Sequence, residues 1–369
     1  MEELKCIGCG VLIQTEHKDK PGFTPKSSLE KKDNDIFCKR CFRLKHYNDV
    51  QDVGLSNDDF LKILNEVSKE DALIVKVIDL ADLTGSILTG INRLIGDNDL
   101  LIVGNKRDLL PKPINDNKII NWMKQSLKEY GMKPVDYVLV SANKGIGVEE
   151  LLNTIETHRR NRNVYVVGST NVGKSTLINA IIKRFTEEEK DYITTSYFPG
   201  TTLGIIEIPL TDEHNIIDTP GIINKHQYAH YLDQKSLTHI TPKNEIKPKV
   251  YQLNNEQTLF FDGLARFDFE DGPRSSFVCY FANQVNIHRT KLEKADQLFE
   301  NHLGKMLTPP TTEEYKRLGG YRRQHFKTPS YKCDLVISGY GWITIDQPNI
   351  KIAIHAPKNV GVFIRRSLI

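Results

Sequence analysis

The sequence predicts an α/β core between a short cysteine-containing module and a β-rich C-terminal domain. Residues 51–225 alternate short apolar runs with helical patterns, which is typical of a doubly wound sheet. Residues 1–50 hold four of the six cysteines and little apolar periodicity, so a bound metal would have to stabilise them. Residues 226–369 change to strand-like runs separated by turns. We therefore expect three domains with boundaries near residues 50 and 225.

The composition restricts the class of protein. The chain has 369 residues, of which 39% are hydrophobic and 26% are charged, as in soluble globular proteins. No apolar run approaches the ~20 residues of a membrane helix, and the N-terminus lacks the apolar region of a signal peptide. We expect a cytoplasmic monomer without a membrane partner. In that compartment cysteines are reduced or metal-bound.

Six apolar runs of the core are predicted as strands and three periodic segments as helices. The first four runs lack strict alternation, as expected for parallel strands buried on both faces. The predicted strands are Leu73–Asp79, Leu100–Gly104, Tyr137–Val140, Val164–Gly168, Ile205–Leu210 and Ile216–Ile217. The predicted helices are Asp116–Tyr130, Val148–His158 and Ser175–Lys183.

The C-terminal third is predicted to be mainly strands. Asp262-Gly263, Asp271-Gly272-Pro273 and Gly339-Tyr340-Gly341 indicate turns between them. Cys279 and Cys333 lie in apolar runs and are predicted to be core residues. The predicted strands are Gln257–Phe261, Ser276–Phe281, Leu335–Ser338 and Ile350–His355, with one helix at Leu292–Leu303.

A glycine-containing loop between a strand and a helix indicates phosphate binding. The segment Gly168–Ser175 fits the pattern G-x-x-x-x-G-K-[ST]. Glycines let backbone N–H groups point at phosphate oxygens, and the helix N-terminus adds positive potential. We expect Lys174 to reach the β- and γ-phosphates and Ser175 to bind Mg²⁺. The predicted phosphate-binding residues are Gly168, Ser169, Thr170, Asn171, Val172, Gly173, Lys174, Ser175 and Thr176.

A second motif, Asp218-Thr219-Pro220-Gly221, follows another predicted strand. An acid at the end of a strand can hold Mg²⁺, here Asp218, through water. The N–H of Gly221 can meet the γ-phosphate because no side chain blocks it. Two adjacent threonines, Thr201 and Thr202, lie between the two motifs, and either can close over Mg²⁺ when the γ-phosphate is present.

Two further motifs suit a guanine base. Asn105–Asp108 resembles the N-K-x-D motif of Ras-like GTPases, in which Asp108 would accept hydrogen bonds from guanine N1–H and the 2-amino group. Adenine lacks both donors, so such a site rejects it. By this resemblance Asn105 braces the loop and Lys106 covers the base. The segment of Ser141, Ala142 and Asn143 resembles the S-A-K motif. In that motif a backbone N–H donates to guanine O6.

The order of these motifs is rotated along the chain. In ordinary Ras-like GTPases the phosphate loop comes first, whereas here both base motifs precede it. The original ends of the fold can be joined through Glu149–Asn163. With the N-terminal cysteine pairs, the whole chain resembles the YqeH family of circularly permuted GTPases, which act in ribosome assembly. The resemblance implies a circularly permuted Ras-like P-loop GTPase domain with an N-terminal zinc-binding module. It also favours Thr202, which fits the Gly-x-Thr form of the switch in related GTPases.

The residue after Gly221 is expected to affect hydrolysis. Many Ras-like enzymes have a water-orienting glutamine there, but this chain has Ile222, so we expect slow intrinsic turnover. Similar GTPases with an apolar residue use K⁺, held by a phosphate-loop asparagine that Asn171 matches. The alternative is that Asn171 only braces the loop. The predicted catalytic residues are Lys174, Asn171, Thr202 and Gly221, and those for Mg²⁺ are Ser175, Thr202 and Asp218.

The N-terminal cysteines form two pairs with two residues inside each pair. Four thiolates suit tetrahedral Zn²⁺, and the glycines beside the first pair allow a tight turn around the metal. The 28 residues between the pairs exceed the common ribbon spacing and indicate an inserted loop. A disulfide is the alternative, which a cytoplasmic chain disfavours. The predicted zinc ligands are Cys6, Cys9, Cys38 and Cys41.

The C-terminal domain carries the positive charge of the chain. Residues 226–369 contain 20 Lys and Arg against 14 Asp and Glu, while the whole chain has a net charge of only +3. Within it, Tyr315–Lys332 holds six cations, four aromatic residues and no acid, and its glycine pair predicts a loop or irregular hairpin. Basic residues neutralise phosphates and aromatic rings stack on unpaired bases, which favours RNA. The alternative is a solvated loop anchored by its aromatic rings.

The expected function is that of a GTP-hydrolysing factor in assembly of the small ribosomal subunit. The family resemblance implies GTP or GDP, Mg²⁺, Zn²⁺ and K⁺ as ligands, and 16S rRNA precursor as partner. Binding is expected through the basic C-terminal domain and the zinc module. Two alternatives remain open, which are a GTP-sensing RNA scaffold with negligible hydrolysis and an enzyme in which GTP hydrolysis gates RNA modification. We find no second constellation of catalytic residues in the sequence for the latter.

Overall fold

The computed structural model describes residues 4–6, 11–18, 20, 22–29, 36–39, 41–42, 54–55, 65, 67–87, 91, 95–187, 206–210, 213–219, 221–222 and 224–369. By its internal contacts the chain divides into two compact units. The first comprises Met1–Arg107 and Leu127–Asn224, and the second comprises Asp108–Ser126 and Lys225–Ile369. The three-domain division at residues 50 and 225 remains a prediction.

The described elements are numbered here in chain order. The α-helices are α1 (Lys26–Leu29), α2 (Leu83–Ser86), α3 (Asp116–Glu129), α4 (Val148–Arg159), α5 (Lys174–Glu187), α6 (Gln234–Ile240), α7 (Leu292–His302) and α8 (Thr312–Arg317). The strands of the first unit are β1 (Gly54–Leu55), β2 (Ala72–Asp79), β3 (Asp99–Asn105), β4 (Asp136–Leu139), β5 (Asn163–Val167), β6 (Ile206–Pro209), β7 (Asn215–Asp218) and β8 (Gly221–Ile222). Those of the second unit are β9 (Lys249–Leu253), β10 (Gln257–Phe261), β11 (Ala265–Asp271), β12 (Ser275–Phe281), β13 (Ile287–Lys291), β14 (Tyr321–Lys327), β15 (Cys333–Ile337), β16 (Gly341–Ile345), β17 (Lys351–Pro357) and β18 (Val362–Arg366).

A six-stranded sheet forms the centre of the first unit, in the order β4-β3-β2-β5-β7-β6. All neighbours are parallel except β6, which runs antiparallel to β7. The runs rich in Val, Ile and Leu lie in its buried interior, which confirms the predicted parallel strands. The chain builds outward from β2 in one direction and from β5 in the other. The sheet therefore has its topological switch point between β2 and β5, where α/β proteins bind ligands at the carboxyl ends of strands.

Two helices cover one face of this sheet because their apolar residues share its hydrophobic core. Leu151 of α4 and Leu177 of α5 lie in one cluster with Val75 of β2. The helix α4 begins after Gly147, which has a φ of 77°. A Cβ at Gly147 would lie 2.4 Å from the carbonyl oxygen of Leu139, so only glycine fits this entry to the helix.

The second unit contains two antiparallel five-stranded sheets. Their orders are β13-β10-β11-β17-β14 and β18-β15-β16-β12-β9. Both sheets contribute to one aromatic core, in which the rings of Phe261 and Phe281 stack with centroids 4.2 Å apart. The four strands and the helix predicted for this region are confirmed. Six strands and two helices were not predicted, since many of them carry charged residues that obscure the apolar pattern.

The prediction of a loop or irregular hairpin at Tyr315–Lys332 is wrong. The segment starts inside α8, turns at Gly319 and Gly320 and continues as the edge strand β14. Both glycines have positive φ, which ends the helix, and the alternation that follows suits a strand. The helix α8 begins with a capping box between Thr311 and Glu314. Within the described ranges, no helix has the length and apolar character that crossing a membrane requires.

Candidate nucleotide site

The phosphate loop lies at the switch point of the six-stranded sheet. β5 enters the loop and α5 begins at Lys174, so the helix N-terminus faces the loop as the motif predicts. Lys174 is 2% exposed and its ammonium forms an ion pair with the carboxylate of Asp218. Ser175 is buried beside it, whereas Thr176 is exposed on the outer side of the helix.

The two base motifs meet the phosphate loop through one asparagine. The Asn105 side chain is buried, and its Nδ2 donates to the carbonyl oxygens of Val172 at 3.0 Å and Gly173 at 3.3 Å. Its Oδ1 accepts from the backbone N–H groups of Lys106 and Ala142. A Cβ at Gly173 would lie 2.5 Å from Asn105 Nδ2, so the glycine lets the amide approach. Asn105 thus joins three separate sequence motifs in one place.

The second motif lies beside the phosphate loop in the same sheet. Asp218 ends β7 and is fully buried, and Thr219 donates through its hydroxyl to the carbonyl of Val166 at 2.8 Å. A Cβ at Gly221 would approach the Thr170 methyl carbon to 3.3 Å, because the backbone here passes close to the loop. A carboxylate and an ammonium are therefore held together where the sequence predicts magnesium and phosphate.

The strand β8 connects this motif directly to the phosphate loop. The N–H of Thr170 donates to the carbonyl of Ile222 at 2.7 Å, and the N–H of Ile222 donates to the carbonyl of Gly168 at 3.0 Å. β8 also pairs in parallel with β1. The Ile222 side chain is 9% exposed, so an alkyl group occupies the position after Gly221 and cannot orient a water molecule.

Sequence reasoning missed one acidic residue at this site, Asp79. It ends β2 opposite Asn105 in β3, and its Oδ2 lies 2.6 Å from the Lys106 ammonium. Lys106 also donates to the carbonyl oxygen of Asn171 at 2.7 Å. The available signal was positional, because Asp79 follows a buried strand adjacent to the strand that carries the base motif.

The remaining predicted residues are placed as follows. Asp108 lies in the 3₁₀ helix Arg107–Leu109 that follows β3 in the chain. Ser141 is buried and pairs with Ile146 through both backbone groups, just before the 3₁₀ helix Ala142–Lys144. Asn143 is exposed in that helix. The residues Thr201, Thr202 and Cys9 lie outside the described part of the chain.

Three of the four predicted zinc ligands come together in the N-terminal module. The sulfur atoms of Cys6, Cys38 and Cys41 all lie within 4.8 Å of one another, and all three side chains are buried. The Cys38 N–H donates to the Cys6 sulfur at 3.1 Å. These three cysteines form no disulfide among the described residues. A cluster of three buried thiols, one of which accepts a backbone N–H bond, fits thiolate ligands for zinc.

The other two cysteines are core residues, as predicted. Cys279 lies in β12 and Cys333 in β15, and both face the shared core of the second unit. Burial raises the pKa of the Cys279 thiol well above its ordinary value and that of Cys333 to about 12. Both thiols therefore stay protonated and unreactive at neutral pH.

Most of the aromatic residues in the basic segment anchor it to the protein. Tyr315 and Tyr321 contact each other's rings, and the Tyr321 hydroxyl donates to the carbonyl of Gly263 at 2.7 Å. Phe326 also packs against the core. Tyr331 is 39% exposed, with the Arg366 guanidinium 4.1 Å from its ring centroid.

The six cations of the segment fall into two groups. Lys316, Arg317 and Arg323 form ion pairs with Glu313, Asp233 and Glu270, respectively. The other three are exposed and form no ion pair with any residue that the structure describes: Arg322, Lys327 and Lys332. The segment therefore carries uncompensated positive charge on an anchored edge strand.

Comparison with known families agrees with this geometry. Residues 163–259 match a family model described as "50S ribosome-binding GTPase". Residues 274–368 match the model "YqeH-like, C-terminal". The phosphate loop, the acid of β7 and the base motifs that precede them in the chain define a P-loop GTPase with circularly permuted motifs.

Similarity over the full length identifies the family. YqeH of Bacillus subtilis (strain 168) is 53% identical over 369 residues, which cover 100% of both chains. "NO-associated protein 1, chloroplastic/mitochondrial" of Arabidopsis thaliana is 30% identical and aligns with 98% of this chain and 76% of its own. The chain belongs to the YqeH family.

One solved structure is similar over part of the chain. The GNP-bound YlqF of T. maritima is 20% identical and covers 45% of this chain and 58% of its own, with a TM-score of 0.29.

Proposed function

We propose that this GTPase acts in assembly of the small ribosomal subunit, binding precursor 16S rRNA in one nucleotide state and leaving it in another. The observation that carries the nucleotide-dependent part of the proposal is the joining of three motifs by Asn105 beside the Lys174–Asp218 ion pair. The hydrogen bonds of Asn105 fix the base loop relative to the phosphate loop. A bound guanine would therefore position its phosphates against the phosphate loop. The family relationship supports a ribosomal partner.

The residues divide the work of hydrolysis between binding and charge stabilisation. The loop N–H groups and Lys174 hold the β- and γ-phosphates and stabilise charge that develops on their oxygens. Ser175, Thr202 and Asp218 would hold Mg²⁺, which supplies further positive charge at the phosphates. Asp108 accepts from the guanine edge, Lys106 covers the base and the backbone N–H groups of residues 141–143 meet its O6.

Potassium is proposed to replace the missing water-orienting side chain. Asn171 is exposed with a φ of 67°, and its backbone carbonyl already accepts from Lys106. Its side-chain amide forms no hydrogen bond with a residue in the described ranges. The backbone carbonyl of Asn171 therefore holds the loop against Lys106. The side-chain amide oxygen remains available as a cation ligand.

GTP turnover in K⁺ and in Na⁺ buffer tests this mechanism, with purified small or large ribosomal subunits added and Asn171→Ala in parallel. We expect slow turnover that requires K⁺, increases with small subunits and is lost in the variant. Stimulation by large subunits alone would contradict the partner. Equal rates in K⁺ and Na⁺ would contradict the potassium role.

A second candidate function is a GTP-sensing RNA scaffold with negligible hydrolysis. The buried Ile222 favours it, because slow turnover without a water-orienting group approaches none. Guanine nucleotide binding without turnover under all of the conditions above would select this alternative.

The N-terminal module is proposed to bind one Zn²⁺ through Cys6, Cys9, Cys38 and Cys41. The clustered thiols support this ligand set. We expect one zinc per chain by elemental analysis, reduced in Cys38→Ser and unchanged in Cys279→Ser, whose sulfur is a core group. Equal zinc content in both variants would contradict the assignment.

A further inference from the structure

The ammonium of Lys106 lies between two acceptors from different parts of the first unit. Asp79 Oδ2 is 2.6 Å away, and the carbonyl oxygen of Asn171 in the phosphate loop is 2.7 Å away. The side chains of Lys106 and Asp79 are 25% and 13% exposed, so solvent screens this pair only in part. Charge-assisted hydrogen bonds in such settings are short and strong.

The backbone conformation of Lys106 is unfavourable and is held by hydrogen bonds. Lys106 has a φ of 66°, in the left-handed region that non-glycine residues seldom adopt. Asn105 Oδ1 accepts from its N–H and holds the turn. The turn directs the side chain across the edge of the site, and the Asp79 carboxylate fixes its far end.

Asp79 is itself held by its surroundings. Its Oδ1 accepts from the N–H of Ala81 at 2.9 Å, and its own N–H donates to the Ser86 hydroxyl at 3.0 Å. That hydroxyl donates in turn to the carbonyl of Asp82 at 2.8 Å. The carboxylate therefore presents its second oxygen to Lys106 from a loop that is already ordered.

Asp79 and the phosphate loop flank the switch point of the sheet from its two sides. β2 pairs with β5 on one side and with β3 on the other, so the end of β2 lies between the phosphate strand and the base strand. An acid at this position can hold the Lys106 ammonium while the carbonyl of Asn171 accepts from it on the side of the phosphate loop.

We propose that Asp79 is a positioning residue for guanine nucleotide binding, which holds the Lys106 ammonium in place against the phosphate loop before the nucleotide arrives. The inference rests on the proposed function of Lys106 in covering the base. Preorganising a long side chain reduces the conformational entropy that binding would otherwise cost. Removing the carboxylate charge should therefore weaken nucleotide binding through Lys106 and not through the fold.

A double-mutant cycle tests this dependence. Affinity for fluorescent N-methylanthraniloyl-GDP would be measured for the wild type, Asp79→Asn, Lys106→Met and the double variant. Without the carboxylate the Lys106 side chain must be ordered when the nucleotide binds, which predicts a loss of affinity of up to roughly tenfold for Asp79→Asn. In the Lys106→Met background the same change should have almost no effect, because the group it positions is gone.

Asp99→Asn is the matched control. Asp99 forms an ion pair of the same length with Arg162, 2.6 Å, but at the amino end of β3, away from the nucleotide motifs. We expect its GDP affinity to equal that of the wild type. Asp79→Glu keeps the charge and should recover part of the affinity, which a purely structural role for the Asp79 shape would not allow.

The outcomes separate the inference from the function on which it rests. Wild-type affinity in Lys106→Met would overturn the assignment of the base site. Loss in Lys106→Met with wild-type affinity in Asp79→Asn would overturn this inference alone. Additive losses of affinity in the double variant would also overturn this inference. So would an Asp79→Asn protein that does not fold, if Asp79→Glu also fails to recover affinity.

Discussion

The phosphate loop and the interior of the sheet each bury one lysine, with opposite electrostatics. Lys174 is 2% exposed and forms an ion pair with Asp218. Lys76, in the middle of β2, is fully buried, and its side-chain nitrogen donates to the carbonyl of Ser86 at 3.4 Å. Burial lowers the pKa of Lys76 to about 7.

The difference shows what a buried charge needs. An ammonium taken out of water remains charged when a carboxylate compensates its lost hydration, and otherwise gives up its proton. The phosphate loop keeps a charged lysine because the Asp218 carboxylate compensates it. In the sheet interior Lys76 has the carbonyl of Ser86 and no carboxylate among its described partners, so its charged form is costly to bury.

The largest expected effect comes from breaking the compensated pair. Lys174→Met should lower GTP turnover by at least ~100-fold, because a donor aimed at the developing phosphate charge is lost. It should also lower the free energy of unfolding of the nucleotide-free protein by about 3–5 kcal/mol, since Asp218 loses the cation that compensates it. Turnover assays and urea unfolding measure both.

Lys183→Met is the control for this prediction, because Lys183 is an exposed lysine on the same helix. It should keep wild-type turnover and stability. A Lys174→Met protein as stable as the wild type would mean that the ion pair does not compensate the buried carboxylate.

The same comparison extends to a buried carboxylate of the second unit. Burial raises the pKa of Asp268, but hydrogen bonds from His355 and Arg266 lower it by more, so the net pKa lies below its ordinary value. Asp268→Asn should lower the free energy of unfolding by about 3 kcal/mol at pH 7, because the buried Arg266 keeps only its pair with the exposed Asp296 and loses the buried carboxylate. The difference from the wild type should shrink as the pH falls below about 4, because the unfolded chain then takes up a proton at Asp268 before the folded protein does.

Asp271→Asn on the same strand is the matched control. Asp271 is 65% exposed and pairs with an equally exposed Lys351 at 3.4 Å. Its loss should change the unfolding free energy by less than about 0.5 kcal/mol. Similar effects for the two variants would show that burial does not decide the strength of these pairs.

Replacing Lys76, which has no compensating carboxylate among the described residues, should raise the free energy of unfolding. Between pH 7 and about 10 the unfolded chain binds a proton at Lys76 that the folded protein does not, so wild-type stability should rise with pH in this window. Lys76→Met should be more stable by about 4 kcal/mol at pH 7 and should lose this slope. Urea unfolding from pH 7 to 10 measures it, and an unchanged slope would contradict the neutral buried lysine.

The sequence predicted the first unit well because its signals are local. Each parallel strand is a continuous apolar run, and each nucleotide motif follows such a run within a few residues. Asn105 and Lys174 were therefore placed by pattern alone. Asp79 was not, because its role depends on β2 and β3 lying side by side, which no local pattern specifies.

The second unit was harder to predict for the same reason. Strand β14 alternates basic residues with partly buried ones, and its apolar partners come from distant strands such as β17. Lys76 was likewise taken only as part of an apolar run. Pairings between distant segments decide both cases, and a single sequence does not reveal them.

The smallest expected effect on stability makes the cleanest probe of RNA binding. Lys316 and Glu313 lie one turn apart on α8 and are 66% and 75% exposed, so Lys316→Ala should change the unfolding free energy by less than about 0.5 kcal/mol.

If the basic segment contacts RNA phosphates, the variant should bind small-subunit precursor RNA more weakly, with a salt slope smaller by about one. Arg289→Ala, which removes an exposed cation from β13 outside the segment, should leave the slope unchanged. Equal slopes for both variants would show that Lys316 contacts no RNA phosphate. A smaller slope for Lys316→Ala at unchanged stability would not be explained by unfolding.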